Sequence, residues 1–367
     1  MADPIRVGII GANPERGWAV RAHIPALQAL PDYKITAVGT SRPESARAAA
    51  ELVGGAHAFT DPRQLAEHPD VDLVAITVKV PAHATLIRAA LAAGKHVYCE
   101  WPLALTTDEA VELSGMAAAA GVRHAVGLQA RYAPEIRRAR DLIAEGYVGE
   151  VVSATVYSPR GKGAGTTVPG WVAYTLDERN GAGVLEVAGG HTLDAVRYLV
   201  GDFAEVSAQL SIRHPHNTIA ETGERIAVTS PDHVLLTGAL DGGAVISAHI
   251  HDAKLTDDPT RVAISGTEGD LAIVSDARPL GGIQMSELRL FGSRGVHGTW
   301  RELGERTGLA AELGTEPRNV AGLYAALAED IRTGAHTVPT FADGVRVHRL
   351  LDTIRRSAES GRRLSAR

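Results

Sequence analysis

The chain has 367 residues, and at roughly 150 per domain that length predicts two domains, each able to bury a core. Hydrophobic residues at 45% and charged residues at 22% exclude a disordered chain. Lys and Arg total 37 against 43 Asp and Glu, a net charge of −6 that leaves no electrostatic footprint for direct nucleic-acid binding.

In the first third, short runs rich in Val and Ile alternate with amphipathic helical stretches. Strands are predicted at Ile5–Ile10, Ile35–Val38, Leu73–Thr77 and His96–Cys99, and helices at Ala19–Leu30, Ser45–Val53 and Ala82–Ala93. Such alternation implies a parallel sheet covered on both faces. Thr106-Thr107-Asp108-Glu109 is a capping box that opens a helix ending at Gly121. After about residue 125 the rhythm changes. A helix follows Pro134, and then strands are predicted at Glu150–Tyr157, Ala204–Ile212, His233–Leu240, Ala244–His251, Arg261–Ser265, Leu271–Val274 and Ile283–Leu290. Asp241-Gly242-Gly243 is a hairpin signal. Helices at Val320–Arg332 and Phe341–Ser360 close the chain. The loop Ser158–Gly170 carries Gly161, Gly163, Gly165 and Gly170 and is a surface connection or a cover over a substrate.

No stretch approaches the ~20 apolar residues of a membrane span, so no membrane partner is expected. Met1-Ala2-Asp3-Pro4 has neither the basic nor the apolar part of a signal peptide, and Cys99 is the single cysteine. A cytoplasmic protein without an internal disulfide follows. Five basic residues are lysines (Lys34, Lys79, Lys95, Lys162, Lys254), so lysine chemistry has few candidates.

The segment Val7 to Trp18 sits where the first strand turns into the first helix. Gly11 can make the tight turn, and Gly17 can let the helix start approach a pyrophosphate held by backbone N–H groups. Asn13 stands where a second glycine is usual, in a loop longer than G-x-G-x-x-G. Ala12, Asn13 and Trp18 complete this cofactor turn. The second strand ends in Gly39-Thr40-Ser41-Arg42, with no acid to accept the 2′-OH of NAD. An NADP preference is therefore expected, with Ser41 and Arg42 on the 2′-phosphate. Ser41-x-x-Glu44 also reads as a capping box. Thr77, Val78 and Lys79 lie at the carboxyl end of a parallel strand, where such sheets place their ligands.

The run from Ala89 to Ala104, with Gly94-Lys95-His96-Val97-Tyr98-Cys99-Glu100-Trp101-Pro102, resembles the Gfo/Idh/MocA family, whose members typically read A-G-K-H-V-x-x-E-K-P here. Gly127 to Pro134, Gly146 to Val151, Gly190 to Asp194 and Ile264 to Gly269 match further, so the resemblance covers nearly the whole chain. It implies an α/β fold: an N-terminal Rossmann domain with a doubly wound parallel sheet over residues 1–125, and a C-terminal α+β domain with a large open, mostly antiparallel sheet over 126–367. It also implies NAD(P)-linked oxidation or reduction of a sugar, cyclitol or related small compound by a homo-oligomer, a dimer or tetramer. His83, Glu100, Trp101 and Gln129 are implied on the cofactor, and Trp101, Arg131, Tyr132 and His191 on the substrate.

The departures are informative. Trp101 stands in place of the family's proton-handling lysine, and Val187 in place of an acid four residues before His191, with Glu186 adjacent. Glu100-Trp101-Pro102 and the Asn13 to Trp18 turn look like the fungal galactose-regulon repressor branch, whose members keep the dinucleotide fold but act as sensors that bind an activator. Trp101 cannot take a proton, since an indole N–H only donates. His191 is then the leading acid/base residue and Lys79 the second. His249-Ile250-His251 puts two imidazoles on one face of a strand, as His214-Pro215-His216 also would. Metal binding would need further ligands that the sequence does not reveal, so no metal is expected.

Overall fold

The computed structural model describes residues 3–15, 17–162, 164–276, 281–304 and 312–367. The chain forms two compact units, Met1–Gln129 with Gly308–Arg346, and Ala130–Thr307 with Val347–Arg367.

The first unit opens with β1 (Ile5–Ile10), a π-helical turn (Ala19–His23) running into α1 (Ile24–Gln28), and β2 (Tyr33–Gly39). There follow α2 (Pro43–Leu52), β3 (His57–Phe59), α3 (Pro62–Glu67), β4 (Leu73–Ile76), α4 (His83–Ala92), β5 (His96–Glu100), α5 (Thr107–Ala120) and β6 (His124–Gly127). The six strands form one sheet in the order β3-β2-β1-β4-β5-β6, parallel throughout. Leu73–Ile76 is buried at every position, as expected of a strand with helices on both faces. The capping box at α5 forms as read: Thr106 Oγ1 accepts from Glu109 N at 3.2 Å, and Gly121 ends the helix at φ 65°. The Ser41 capping box does not form. Arg42 is the N-cap residue, and Thr40 and Ser45 bond to its carbonyl oxygen instead.

In the second unit α6 (Pro134–Ala144) is followed by β7 (Val151–Pro159), β8 (Thr167–Val168), α7 (Gly170–Ala173) and α8 (Gly190–Val200), the last entered through a second π-helical turn (Val184–Gly189). Next come β9 (Phe203–Ser211), β10 (His216–Ile219), β11 (Arg225–Ala227), β12 (His233–Leu240), β13 (Val245–His251), β14 (Arg261–Gly266), β15 (Gly269–Ser275), β16 (Leu288–Arg294) and β17 (Arg301–Glu302). The chain returns to the first unit with α9 (Thr315–Thr333), and α10 (Phe341–Ser360) and β18 (Leu364–Ser365) end it. The large sheet has nine strands, β17-β16-β15-β14-β7-β13-β12-β9-β18. Its pairs are antiparallel except β7 with β13. The strand expected at Ile283–Leu290 instead spans Leu288–Arg294, because Gly282 to Ser286 is a turn closed by backbone bonds back to Gly282. Period-two alternation gives the sheet one covered face: Val234, Leu236, Ile246, Ala248 and Ile250 are buried, while Leu235 and Val245 are exposed.

The aromatic core of the first unit needs α9. Tyr324 on that helix is fully buried, stacks on Tyr98 at 4.8 Å, and its hydroxyl pairs with His23 Nδ1 at 2.7 Å. Among the described residues no helix is long and apolar enough to cross a membrane.

Candidate functional site

In the first unit the candidate cofactor residues gather at the carboxyl ends of β1 and β4. Gly11 has φ 103°, and a Cβ there would meet Thr77 Oγ1 at 2.7 Å and Val78 Cγ1 at 2.8 Å, so only glycine fits. Thr77 fastens the two strand ends together, its hydroxyl donating to the Ile10 carbonyl at 2.8 Å. Asn13 Oδ1 accepts from Glu15 N at 3.0 Å, an Asx turn that lets a longer loop stand in for the second glycine. Gly17 has φ 125° with open space around its Cβ position apart from the Gly11 carbonyl at 3.9 Å. The helical turn that follows has Trp18 as N-cap residue with no side-chain capping bond. Arg21 N in its first turn donates to the Gly17 carbonyl at 3.3 Å, and no side chain caps the turn, so an anion could take that place. Arg16 lies outside the described residues. Ser41 and Arg42 are exposed at the end of β2.

His83 is buried, with Nδ1 2.8 Å from the Pro102 carbonyl and Nε2 3.0 Å from the Val78 carbonyl. Burial pulls its pKa down despite these acceptors, and the neutral ring, with one N–H, donates to only one of the two carbonyls. Lys79 is exposed beside it. Glu100 is buried and its Oε1 lies 3.0 Å from His23 Nε2. This carboxylate therefore braces the π-helical turn from behind. Trp101 is 5% exposed. Gln129 is 1% exposed, and its Oε1 has no hydrogen-bond partner among the described residues. Cys99 is a buried thiol pushed well above its usual pKa by desolvation, which makes it unreactive.

A separate group of candidates sits in the second unit. His191 occupies the first turn of α8 and is 3% exposed. A π-helical turn precedes it. This turn, Val184–Gly189, contains both Glu186 and Val187, so the regular four-residue spacing back from His191 does not apply within it. Glu186 pairs with Arg355. Asp194 is fully buried and held by Arg131 in a two-pronged bond, Nε to Oδ2 at 2.8 Å and Nη2 to Oδ1 at 2.6 Å. Arg131 is thus committed to Asp194 as well as standing among the substrate candidates. Tyr132, partly buried, has the Arg137 guanidinium 6.0 Å from its ring.

A further pocket of the second unit holds a residue to which the sequence gives no role. Lys162 lines a pocket with Thr175, His214, Ser230, Asp232 and Asp252. Burial and the nearby Arg160 charge push its ammonium down to about 8. Beside it Arg160 holds buried Asp252 at 2.6 and 2.8 Å. Burial alone would raise the Asp252 carboxyl, but Arg160 and Lys162 outweigh it and keep it below the usual range. The signal was present in the sequence, as one of five lysines in a glycine-rich loop. Gly163 of that loop lies outside the described residues.

Residues 5–128 match the oxidoreductase family with an NAD-binding Rossmann fold, and residues 134–275 match the C-terminal domain of Gal80p. The chain is 30% identical to the dehydrogenase aclE of Aspergillus oryzae over 100% of both proteins. It is also 30% identical to the galactose/lactose metabolism regulatory protein GAL80 of Saccharomyces cerevisiae, over 79% of this chain and 70% of that one. The chain belongs to the Gfo/Idh/MocA oxidoreductase family. A crystal structure of a Gal80p super-repressor mutant superposes with a TM-score of 0.87 at 27% identity, covering 99% of this chain and 98% of that one. Levoglucosan dehydrogenase in complex with NADH and L-sorbose superposes with a TM-score of 0.86 at 25% identity, covering 99% of each chain. As in this Gfo/Idh/MocA family generally, the first unit is a Rossmann domain, and its residues fit a dinucleotide. The cradle at Gly11 and Gly17 admits no side chain or leaves space, the helical turn is uncapped, and Gln129 Oε1 is a buried acceptor that a donor would satisfy.

Proposed function

We propose that this chain is an NAD(P)-dependent oxidoreductase, preferring NADP, that oxidises or reduces a sugar, cyclitol or related small hydroxyl or carbonyl compound. The observation that carries this reading is the turn at Gly11, where φ 103° and the closeness of Thr77 and Val78 exclude any side chain and leave a bare backbone of the kind that takes a phosphate. The NADP preference rests on the exposed Ser41 and Arg42 at a strand end that has no acid. When bound, the nicotinamide supplies or accepts the hydride.

In this reading Gly11, Ala12, Asn13, Gly17 and Trp18 hold the pyrophosphate. Thr77, Val78, His83, Glu100, Trp101 and Gln129 shape the rest of the dinucleotide site. His191 takes the hydroxyl proton during oxidation and returns it during reduction, through one imidazole nitrogen. Lys79 is the second proton-handling candidate. Arg131, Tyr132 and Trp101 orient the substrate, and the whole protein acts as a dimer or tetramer in the cytoplasm. Two relatives named for sugar oxidation support the substrate class: the D-glucoside 3-dehydrogenase of Escherichia coli and the levoglucosan dehydrogenase of Pseudarthrobacter phenanthrenivorans.

The second reading is a dinucleotide-binding regulator that acts through a protein partner. It is favoured by Trp101 in place of lysine and by the likeness to GAL80. One experiment separates the two. Purified protein is incubated with NADP or NAD and a panel of aldoses, polyols and cyclitols, and reduced-nicotinamide fluorescence is followed. Turnover is expected with NADP, reduced at least ~100-fold in His191→Ala. Tight dinucleotide binding without turnover on any panel member selects the regulator. Unchanged turnover in His191→Ala removes the histidine from its role.

A further inference from the structure

Outside these sites, three histidines meet on the open face of the nine-stranded sheet. His233 on β12 pairs directly across from His251 on β13, and His249, two residues before His251, projects to the same side. The rings of His233 and His251 lie 5.2 Å apart and 7° from parallel. His249 stacks on His251 at 4.5 Å and on His233 at 5.5 Å. One ring nitrogen from each of the three lies within 4.8 Å of the other two. The surroundings suit ligands more than a packed core. Asp232 Oδ1 accepts from His233 Nδ1 at 2.8 Å, which directs the lone pair of Nε2 away from that bond. This carboxylate-to-imidazole contact is the usual support behind a metal-bound histidine. His249 Nε2 is buried and has no hydrogen-bond partner among the described residues. The Tyr157 hydroxyl lies 3.4 Å from His251 Nε2 and adds an oxygen to the group.

We propose that His233, His249 and His251 form a binding site for a divalent transition cation of the zinc type, with water or the Tyr157 hydroxyl in the fourth position. Three imidazole nitrogens select zinc, cobalt, nickel or copper over calcium and magnesium, which prefer oxygen. Bonds of about 2.0–2.1 Å to a tetrahedral ion draw the nitrogens closer than they stand without one, to roughly 3.3 Å apart. That closure needs the stacked rings to tilt so that their in-plane lone pairs converge, which the partly exposed His233 and His249 can do around buried His251. A pair of histidines on one strand cannot hold such an ion firmly. Strand pairing brings the third.

The test uses the full-length chain, stripped with chelator and titrated with zinc chloride by calorimetry, then with cobalt to record its visible absorption. One zinc per chain at this cluster is expected, with an intense cobalt band typical of four-coordinate sites. His249→Ala and, as a second variant, His233→Gln are each expected to weaken binding at least ~10-fold, with melting in chelator unchanged. His57→Ala is the control, because His57, His68 and Asp70 form another cluster in the first unit, and it is expected to leave the cobalt spectrum intact. The proposal is overturned if zinc is not retained, or if binding survives in both His249→Ala and His233→Gln. Loss of the band in His57→Ala alone overturns it equally.

Discussion

Lys162 shows how one side chain carries a pH signature. Its pKa of about 8 lies below the ordinary 10.5 because burial and the Arg160 charge oppose the ammonium. A folded-state pKa below the unfolded value means the unfolded chain holds more protons between about 8 and 10.5. Stability therefore rises with pH across that window and is lowest below it, where the charge is buried. Lys162→Met is expected to flatten this rise and to be the more stable protein at pH 7. The difference between the two proteins should change by ~1–2 kcal/mol from pH 7.5 to pH 10. Urea midpoints at the two pH values measure it, and parallel slopes for the two proteins would contradict the burial argument. At this scale the sequence was partly legible. Gly11 is legible for its turn, whereas the Ser41 capping box does not form because the helix starts one residue later, with Arg42 at the N-cap.

Among elements, a buried two-pronged ion pair in the second unit joins the segment after β6 to α8, through Arg131 and Asp194. Asp194 is fully buried and Arg131 is 15% exposed, so removing the cation strands a carboxylate without solvent. Arg131→Met is expected to destabilise the unit by ~3–5 kcal/mol, read as a lower denaturant midpoint with an unchanged slope. If that variant kept wild-type stability and lost only substrate affinity, Arg131 would be a binding residue and no brace. Element positions were partly readable: β4 is an unbroken apolar run and α5 carries both a start and a stop signal, whereas the short β3 and β6 were not expected. Nor was the π-helical turn at Val184–Gly189. Nothing in the local pattern announces that the residues before His191 leave regular helical spacing.

At the scale of the whole molecule, the first unit is discontinuous in sequence. Val320, Leu323, Tyr324 and Leu327 of α9 are fully buried, in the unit that also contains Met1–Gln129. At ~1.5–3 kcal/mol per buried apolar side chain, these four contribute about as much as the ~5–15 kcal/mol that holds an ordinary domain folded. A fragment ending at Gln129 is therefore expected to show no cooperative thermal transition by circular dichroism, and a fragment with residues 308–346 rejoined by a linker is expected to regain one. Cooperative melting of the shorter fragment at the full chain's midpoint would refute the requirement for α9. The sequence reading divided the chain once, near residue 125, because local rhythm changes there and nothing local announces that a later helix returns.

What a run of residues can express locally was already present in the sequence: strand and helix periods, the dinucleotide turn, the helix caps and the family motifs. These depend on neighbours within about a dozen positions, where hydrophobic spacing and backbone preference act directly. The third histidine beside His249 and His251, the pocket around Lys162 and the core supplied by Tyr324 depend on partners far along the chain. Their positions follow from strand register and side-chain packing, which arise only when distant segments bury the same apolar surface.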